Sequence, residues 1–313
     1  MALGAARGWE RELTTDVGTP TDEAAAAARR FSLAGIAVTV TLAIVIFAPI
    51  LYYMVLHWRT VPDYSHGFIV GPLALYFAWE RRAKLRRAPI ESSWWGVVPL
   101  ALGSLALMIG RLGVELMAMR TAFVLTLIGL VLLLLGMPIF RILRFPLLFL
   151  FLMVPLPQSL VNVIAFPLQL VAADLAVGWL HWLAIPALRE GNIIHLASTP
   201  LFVAEACSGL RSLMALGTLA VVFAYFFRKR MLERIVIVLS AIPIAILVNA
   251  FRVALTGYLT HNVGEQAAQG VIHQTEGLFT FGLAFVLLLV EASLLQLAFR
   301  RFGPRRAAAG VRS

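Results

Sequence analysis

FSLAGIAVTVTLAIVIFAPILYYMVL, from Phe31 to Leu56, runs 26 residues without one charged side chain. A hydrocarbon core about 30 Å thick is crossed by about 20 apolar residues in a helix. In that form every backbone N–H and C=O is bonded within the segment, which is the condition for entering lipid. The stretch exceeds a signal-peptide core and has no obvious cleavage site, so it reads as a retained membrane helix. Similar stretches recur at 64–80, 94–110, 121–140, 142–156, 207–227, 235–259 and 275–299. The expectation is an all-α polytopic membrane protein with about eight transmembrane helices.

Composition agrees. Of 313 residues, 61% are hydrophobic and 13% charged, and the mean hydropathy is +0.89. A soluble domain is nearer half apolar and one quarter charged. This excludes a cytosolic enzyme, a disordered chain and a disulfide scaffold. One cysteine, Cys207, rules out an internal disulfide or an all-cysteine metal site. The net charge of +10 does not point to nucleic acid, because the basic residues sit in short clusters between apolar spans.

Those clusters set an orientation. Arg7, Arg11, Arg29 and Arg30 precede the first span, and Arg81, Arg82, Lys84, Arg86 and Arg87 follow the second. Arg141 and Arg144 follow the fourth, Arg228, Lys229, Arg230 and Arg234 the sixth, and Arg300, Arg301, Arg305, Arg306 and Arg312 the last. Together they hold 20 of the 26 basic residues on one face. By the positive-inside rule that face is cytoplasmic, and both termini lie there. Residues 1–30 form a polar cytoplasmic segment, 31–300 a single membrane domain and 301–313 a basic cytoplasmic tail. A ninth span at 159–185 would invert every later loop. With Asn162, Gln169, Asp174, His181, Trp179 and Trp182, that segment is expected outside, as an interfacial or re-entrant helix. Arg189 to Leu196 is a turn with strand-like alternation, so a short β-hairpin should feed the Cys207 helix.

Three polar residues fall at one depth. At a rise of about 1.5 Å per residue, Arg234 to Arg252 is about 27 Å, Cys207 to Arg228 about 31 Å and His273 to Arg300 about 40 Å. All three come out near the outer boundary. Their chemistry is that of acyl transfer. A thiol attacks as thiolate, favoured by a neighbouring cation and by the positive end of a helix dipole. A histidine protonates the leaving amine, and a guanidinium holds the carbonyl or its oxyanion. Each also has a plainer reading: a small core cysteine, an interfacial histidine, an arginine extended to the outer headgroups.

The stretch Ala206–Cys207–Ser208–Gly209–Leu210–Arg211–Ser212 resembles the nucleophile motif of the exosortase/archaeosortase family, membrane cysteine transpeptidase-like proteases associated with PEP-CTERM sorting signals. Asn249–Ala250–Phe251–Arg252 is similar to its arginine motif. Ile272–His273 with Glu276–Gly277 and Phe279 is similar to its histidine motif. Asp63–Tyr64–Ser65–His66–Gly67 and the Gly191-centred strand also resemble the family pattern. The resemblance spans roughly 35–300 in ordered motifs. It implies Cys207 as nucleophile, His273 as acid/base and Arg252 as oxyanion or positioning arginine.

Arg211, at i+4 from Cys207, is the rival arginine. Its alternative is a partner for phospholipid or for Glu205. Glu276 either orients the His273 imidazole from i+3 or is a surface carboxylate. His66 either lines a substrate groove or is an interfacial side chain. Asn249 is a supporting residue by its place in the arginine motif. Asp63 reads as a cap for the second span, and Glu291 as a group paired within the bundle.

The resemblance implies cleavage, and transfer where an amine or glycolipid acceptor is used, of C-terminal sorting signals on secreted proteins. The place is the outer, periplasmic face of a bacterial inner membrane, with membrane lipid around the enzyme and no nucleic acid as partner. Nothing calls for a cofactor or a metal. The rival classes are a transporter or polysaccharide-export component, which would carry charges deep in the bilayer and broken, pseudo-symmetric helices, and a non-catalytic scaffold with an inert Cys207.

Overall fold

The structure is a computed structural model that describes residues 22–197, 199–203, 210–227, 230–264 and 271–302. The side chains of 22–33, 37, 210, 271–276 and 298–302 lie outside that description. Its helices are α1 (Asp22–Thr60), α2 (Gly67–Glu80), α3 (Arg82–Arg87), α4 (Val97–Leu112), α5 (Leu116–Leu130), α6 (Gly136–Phe149), α7 (Gln158–Trp182), α8 (Leu210–Phe227), α9 (Met231–Val263) and α10 (Val271–Phe302). Three strands, β1 (Ala187–Glu190), β2 (Ile193–Leu196) and β3 (Pro200–Phe202), lie between α7 and α8. The protein is a multi-pass membrane protein.

Six segments are long and apolar enough to cross a membrane among the described residues: Ala34–Thr60, Trp94–Leu112, Leu116–Met153, Gln158–Trp182, Met231–Val263 and Gly277–Leu297. They do not map one-to-one onto the eight expected stretches. The 14-residue α2 and the shorter apolar helix Arg211–Phe227 fall below that length. Leu116–Met153 takes in two expected stretches. They part at Gly136, whose φ of 87° breaks the helix, rather than at residue 141. Helix α1 starts at Asp22, ahead of the apolar run. The alanine run 24–28 and the acidic pair Asp22–Glu23 at its start favour that extension.

The bundle has two distinguishable ends. At the basic end, Arg81 donates to the Ile142 carbonyl and, at 3.1 Å, to the Tyr225 hydroxyl, which donates to Glu80 at 3.1 Å. The Glu91 and Ser93 N–H groups donate to the carbonyls of Leu135 and Leu132, so the π-helical segment Val131–Leu135 that continues α5 also finishes there. Helices α4 and α5 form a tight hairpin. Gly96, just before α4, and Gly103 and Gly110 within it recur every seven residues, and a β-carbon at Gly96 would stand 2.5 Å from the Leu133 nitrogen of the neighbouring turn. Small residues are what let two membrane helices approach this closely.

The far end is organised by a broken helix. The 3₁₀ turn Leu150–Met153 runs into Val154–Pro155–Leu156–Pro157, and the prolines cannot supply the N–H groups that would bond the preceding carbonyls. Side chains donate to three carbonyls along this stretch. The Trp58 indole N–H donates to Met153 at 3.0 Å and the Tyr64 hydroxyl to Leu156 at 3.3 Å. His66 Nε2 donates to Leu152 at 3.1 Å, which places its proton on that nitrogen.

Helix α7 leaves from this end and does not return to the basic one. Its Leu168 sits with Leu213, Ala245, Ile246 and Asn249, whereas Leu180, twelve residues on, lies against Gly257. It therefore runs alongside the upper part of α9, away from the basic end. The antiparallel sheet rests on it. Arg189 pairs with Asp174 at 2.8 Å, His181 Nε2 donates to the Ala187 carbonyl at 2.7 Å, and Asn192 meets Gln169 at 3.4 Å. The expected hairpin is present, with Gly191 at φ 64° in its two-residue turn. A third strand extends it, pairing Ile193 with Phe202 in the order β1–β2–β3. Leu201 and Phe202, in the apolar run Leu201–Phe202–Val203 before Cys207, thus belong to the sheet. Ile194, Leu201 and Val203 are buried against α7 and against Val253 and Ala254 of α9.

Candidate active site

Cys207, with Glu205 and Ser208, lies outside the described residues. What the structure gives is the frame on either side of it. The sheet ends at Phe202, with the Val203 N–H donating to the Asn192 carbonyl at 3.1 Å. Helix α8 resumes at Leu210, and Arg211 on its first turn reaches across to Asp63, Nε to Oδ1, at 3.4 Å. The two halves of that pair come from positions 148 residues apart. They join the Asp63–Gly67 stretch to the helix that holds Leu210, Arg211 and Ser212, the last residues of the cysteine motif.

Asp63 does not cap α2. Its carboxylate is turned to Arg211, and the cap position is taken by His66 without a side-chain cap bond. Nor is Arg211 a lone cation waiting for phospholipid. His66 is buried, held by the Leu152 carbonyl, so it braces the broken helix instead of presenting an open ring to a groove. Tyr64 stands between two imidazoles, with ring centroids 5.2 Å from His57 and 6.3 Å from His66.

Asn249 and Arg252 occupy neighbouring turns of α9. Asn249 is buried and borders a small cleft with Leu213 of α8, two residues past Arg211. The first turns of the cysteine-motif helix and the arginine motif are therefore neighbours. Arg252 turns the other way around α9, to α10. A β-carbon placed on Gly277 would be 3.6 Å from its Nη2, 3.7 Å from Cζ and 3.9 Å from Nη1. His273 and Glu276 belong to the first turns of α10, and their side chains lie outside the description. By backbone position His273 is four residues before Gly277, on the same helix face. Glu291, deeper in α10, accepts from Ser240 of α9, the intrabundle partner expected for it.

Two contacts escaped the sequence. Asp63 looked like a cap because an acidic residue at a helix start ordinarily is one. The seating of Arg252 over Gly277 had only the short spacing from His273 as a signal.

The family model described as Transmembrane exosortase (Exosortase_EpsH) matches residues 58–290. It begins at the tryptophan that bonds the broken helix and ends within α10, so it takes in Asp63, Cys207, Arg252 and His273 together. No curated protein and no solved structure matches the chain. With the matched region covering most of the sequence and the whole far end, the chain belongs to the transmembrane exosortase family.

Proposed function

We propose that this protein is a cysteine protease or transpeptidase that cuts the C-terminal sorting signal from secreted proteins at the outer face of a bacterial inner membrane. It crosses that membrane eight times, with both termini and the basic clusters in the cytoplasm. The observation that carries the reading is the joining of separate motifs at one end of the bundle. Asp63 meets Arg211, Leu213 adjoins Asn249, and the Arg252 guanidinium lies over α10 one turn from His273.

In this reading the signal's hydrophobic helix enters from the lipid and sets the scissile bond level with Cys207. The thiolate sulfur bonds to the carbonyl carbon, and the carbonyl electron pair moves onto oxygen, where Arg252 offsets its charge. Collapse of that oxyanion breaks the C–N bond, and the amine of the C-terminal fragment leaves with a proton from His273. The resulting thioester is attacked by water or by an amine or glycolipid acceptor, the proton returns to His273, and the sulfur departs as thiolate.

The test is capture of that thioester. Purified enzyme is mixed, under acceptor limitation, with a reporter ending in Pro-Glu-Pro, an apolar helix and an arginine cluster. An adduct mapping to Cys207, persisting in a thiol-free denaturing gel and released by hydroxylamine, is expected. Cleavage without any adduct at Cys207 would remove covalent catalysis. The crossing number has its own test. Impermeant labelling from outside should reach residues 186–206 and miss 81–87 and 228–234, and the reverse pattern would overturn the topology.

A further inference from the structure

Glycines in this bundle serve two different contacts. At Gly96 an added β-carbon would strike the backbone of the neighbouring helix, 2.5 Å from Leu133 N and 2.6 Å from Gly129 O, so the glycine there lets two helices touch. At Gly277 the three nearest heavy atoms are all in one side-chain group, the guanidinium of Arg252. They differ by only 0.3 Å, from 3.6 to 3.9 Å. The planar group therefore presents itself broadside to the bare α-carbon. Gly282, further along α10, has nothing within 4 Å of that position.

We infer that Gly277 is a positioning residue for the reaction: its missing side chain is the seat on which the Arg252 guanidinium rests, one turn from His273. This deepens the proposed cysteine-peptidase reading and rests on it. A methyl group at 277 would make ordinary van der Waals contact with the guanidinium, but a longer side chain would occupy the space the guanidinium fills. Arg252, anchored on another helix, would then have to swing away from the His273 turn. Displacement of a catalytic group by about 1 Å can cost on the order of 100-fold in rate.

The experiment is a series at 277, read with the signal-bearing reporter and with thermal unfolding of the full chain in detergent. Gly277→Ala, whose methyl group would stand 3.6–3.9 Å from the guanidinium, should lose less rate than any longer side chain. Gly277→Leu should lose on the order of 100-fold in kcat with KM little changed, while Gly282→Leu should behave as wild type. Millimolar guanidinium chloride should partly restore Arg252→Ala, and should fail to restore Arg252→Ala combined with Gly277→Leu. If Gly277→Leu accumulates poorly, truncating the arginine should relieve it. Arg252→Ala/Gly277→Leu should then unfold at a higher temperature than Gly277→Leu alone. The inference is overturned if Gly277→Leu keeps the wild-type kcat while Arg252→Ala is inactive. It is equally overturned if the double variant is no more stable than a destabilised Gly277→Leu. Full activity in Arg252→Ala would instead overturn the arginine's role in the proposed function, a separate failure.

Discussion

The two ends of the bundle use polar residues in opposite ways. At the basic end, Glu80, Arg81 and Tyr225 bond mostly to one another, and Arg82 stacks on Trp79 at 3.9 Å. These groups reach water or headgroups, and their mutual bonds can be exchanged for solvent at little cost. At the far end, Trp58, Tyr64 and His66 are buried and spend their donors on the carbonyls of a helix that prolines have broken. A buried carbonyl left without a donor is expensive. The basic end should therefore tolerate substitution better than the far end.

The widest separation between the ends should be in activity. Cys207→Ala, Arg252→Ala and His273→Ala are each expected to cut reporter processing by at least about 10³-fold while the protein still accumulates in the membrane. Cys207→Ser should fail too, since an alkoxide forms far less readily than a thiolate at neutral pH. Arg81→Ala should leave the rate essentially unchanged. If Arg211→Ala is inactive and Arg252→Ala active, the arginine role moves to Arg211.

Next in size is stability. Trp58→Phe keeps most of the ring but strands the Met153 carbonyl, and should destabilise by about 1–3 kcal/mol in thermal or denaturant unfolding. A change within error would mean that the broken helix finds its donors elsewhere.

The Asp63–Arg211 pair should be worth less. The Arg211 side chain is 56% exposed, so a double-mutant cycle with Asp63→Asn and Arg211→Gln should give a coupling of about 0.2–1 kcal/mol. A coupling well above that range would indicate a pair shut away from solvent. Smallest of all, Glu80→Gln at the basic end should shift stability by less than about 0.5 kcal/mol. A larger loss there would erase the contrast between the two ends.

Hydropathy is additive along a helix and ignores how the helix is turned about its axis. That is why the apolar stretches could be recognised from residue order alone, whereas the segment 159–185, expected as an interfacial or re-entrant helix, is a helix Gln158–Trp182 long and apolar enough to cross. The strand alternation at 189–196 was visible as a hairpin, but the break at Val154–Pro157 was not anticipated: the expected stretch 142–156 ran into it, because hydropathy takes no account of the N–H groups that prolines lack. The third strand was not, because a three-residue apolar run such as Leu201–Phe202–Val203 has no period of its own. The positions of Cys207, Arg252 and His273 came from the order and depth of their motifs. Cys207 lies outside the described residues, so the structure adds to its frame and not to its own geometry.

The sequence by itself determined that the chain is a polytopic membrane protein, that its basic residues cluster between apolar stretches, and which ordered motifs tie it to the exosortases. Only the tertiary structure decided which polar groups meet. Arg211 takes Asp63, three side-chain donors take the carbonyls at Leu152, Met153 and Leu156, and Arg252 rests on Gly277. The physical reason is that burial in lipid depends on a sum over about 20 residues, which any order of apolar side chains can satisfy. A polar contact depends instead on helix rotation, tilt and approach to within an ångström, and those are fixed by packing against the neighbouring helices.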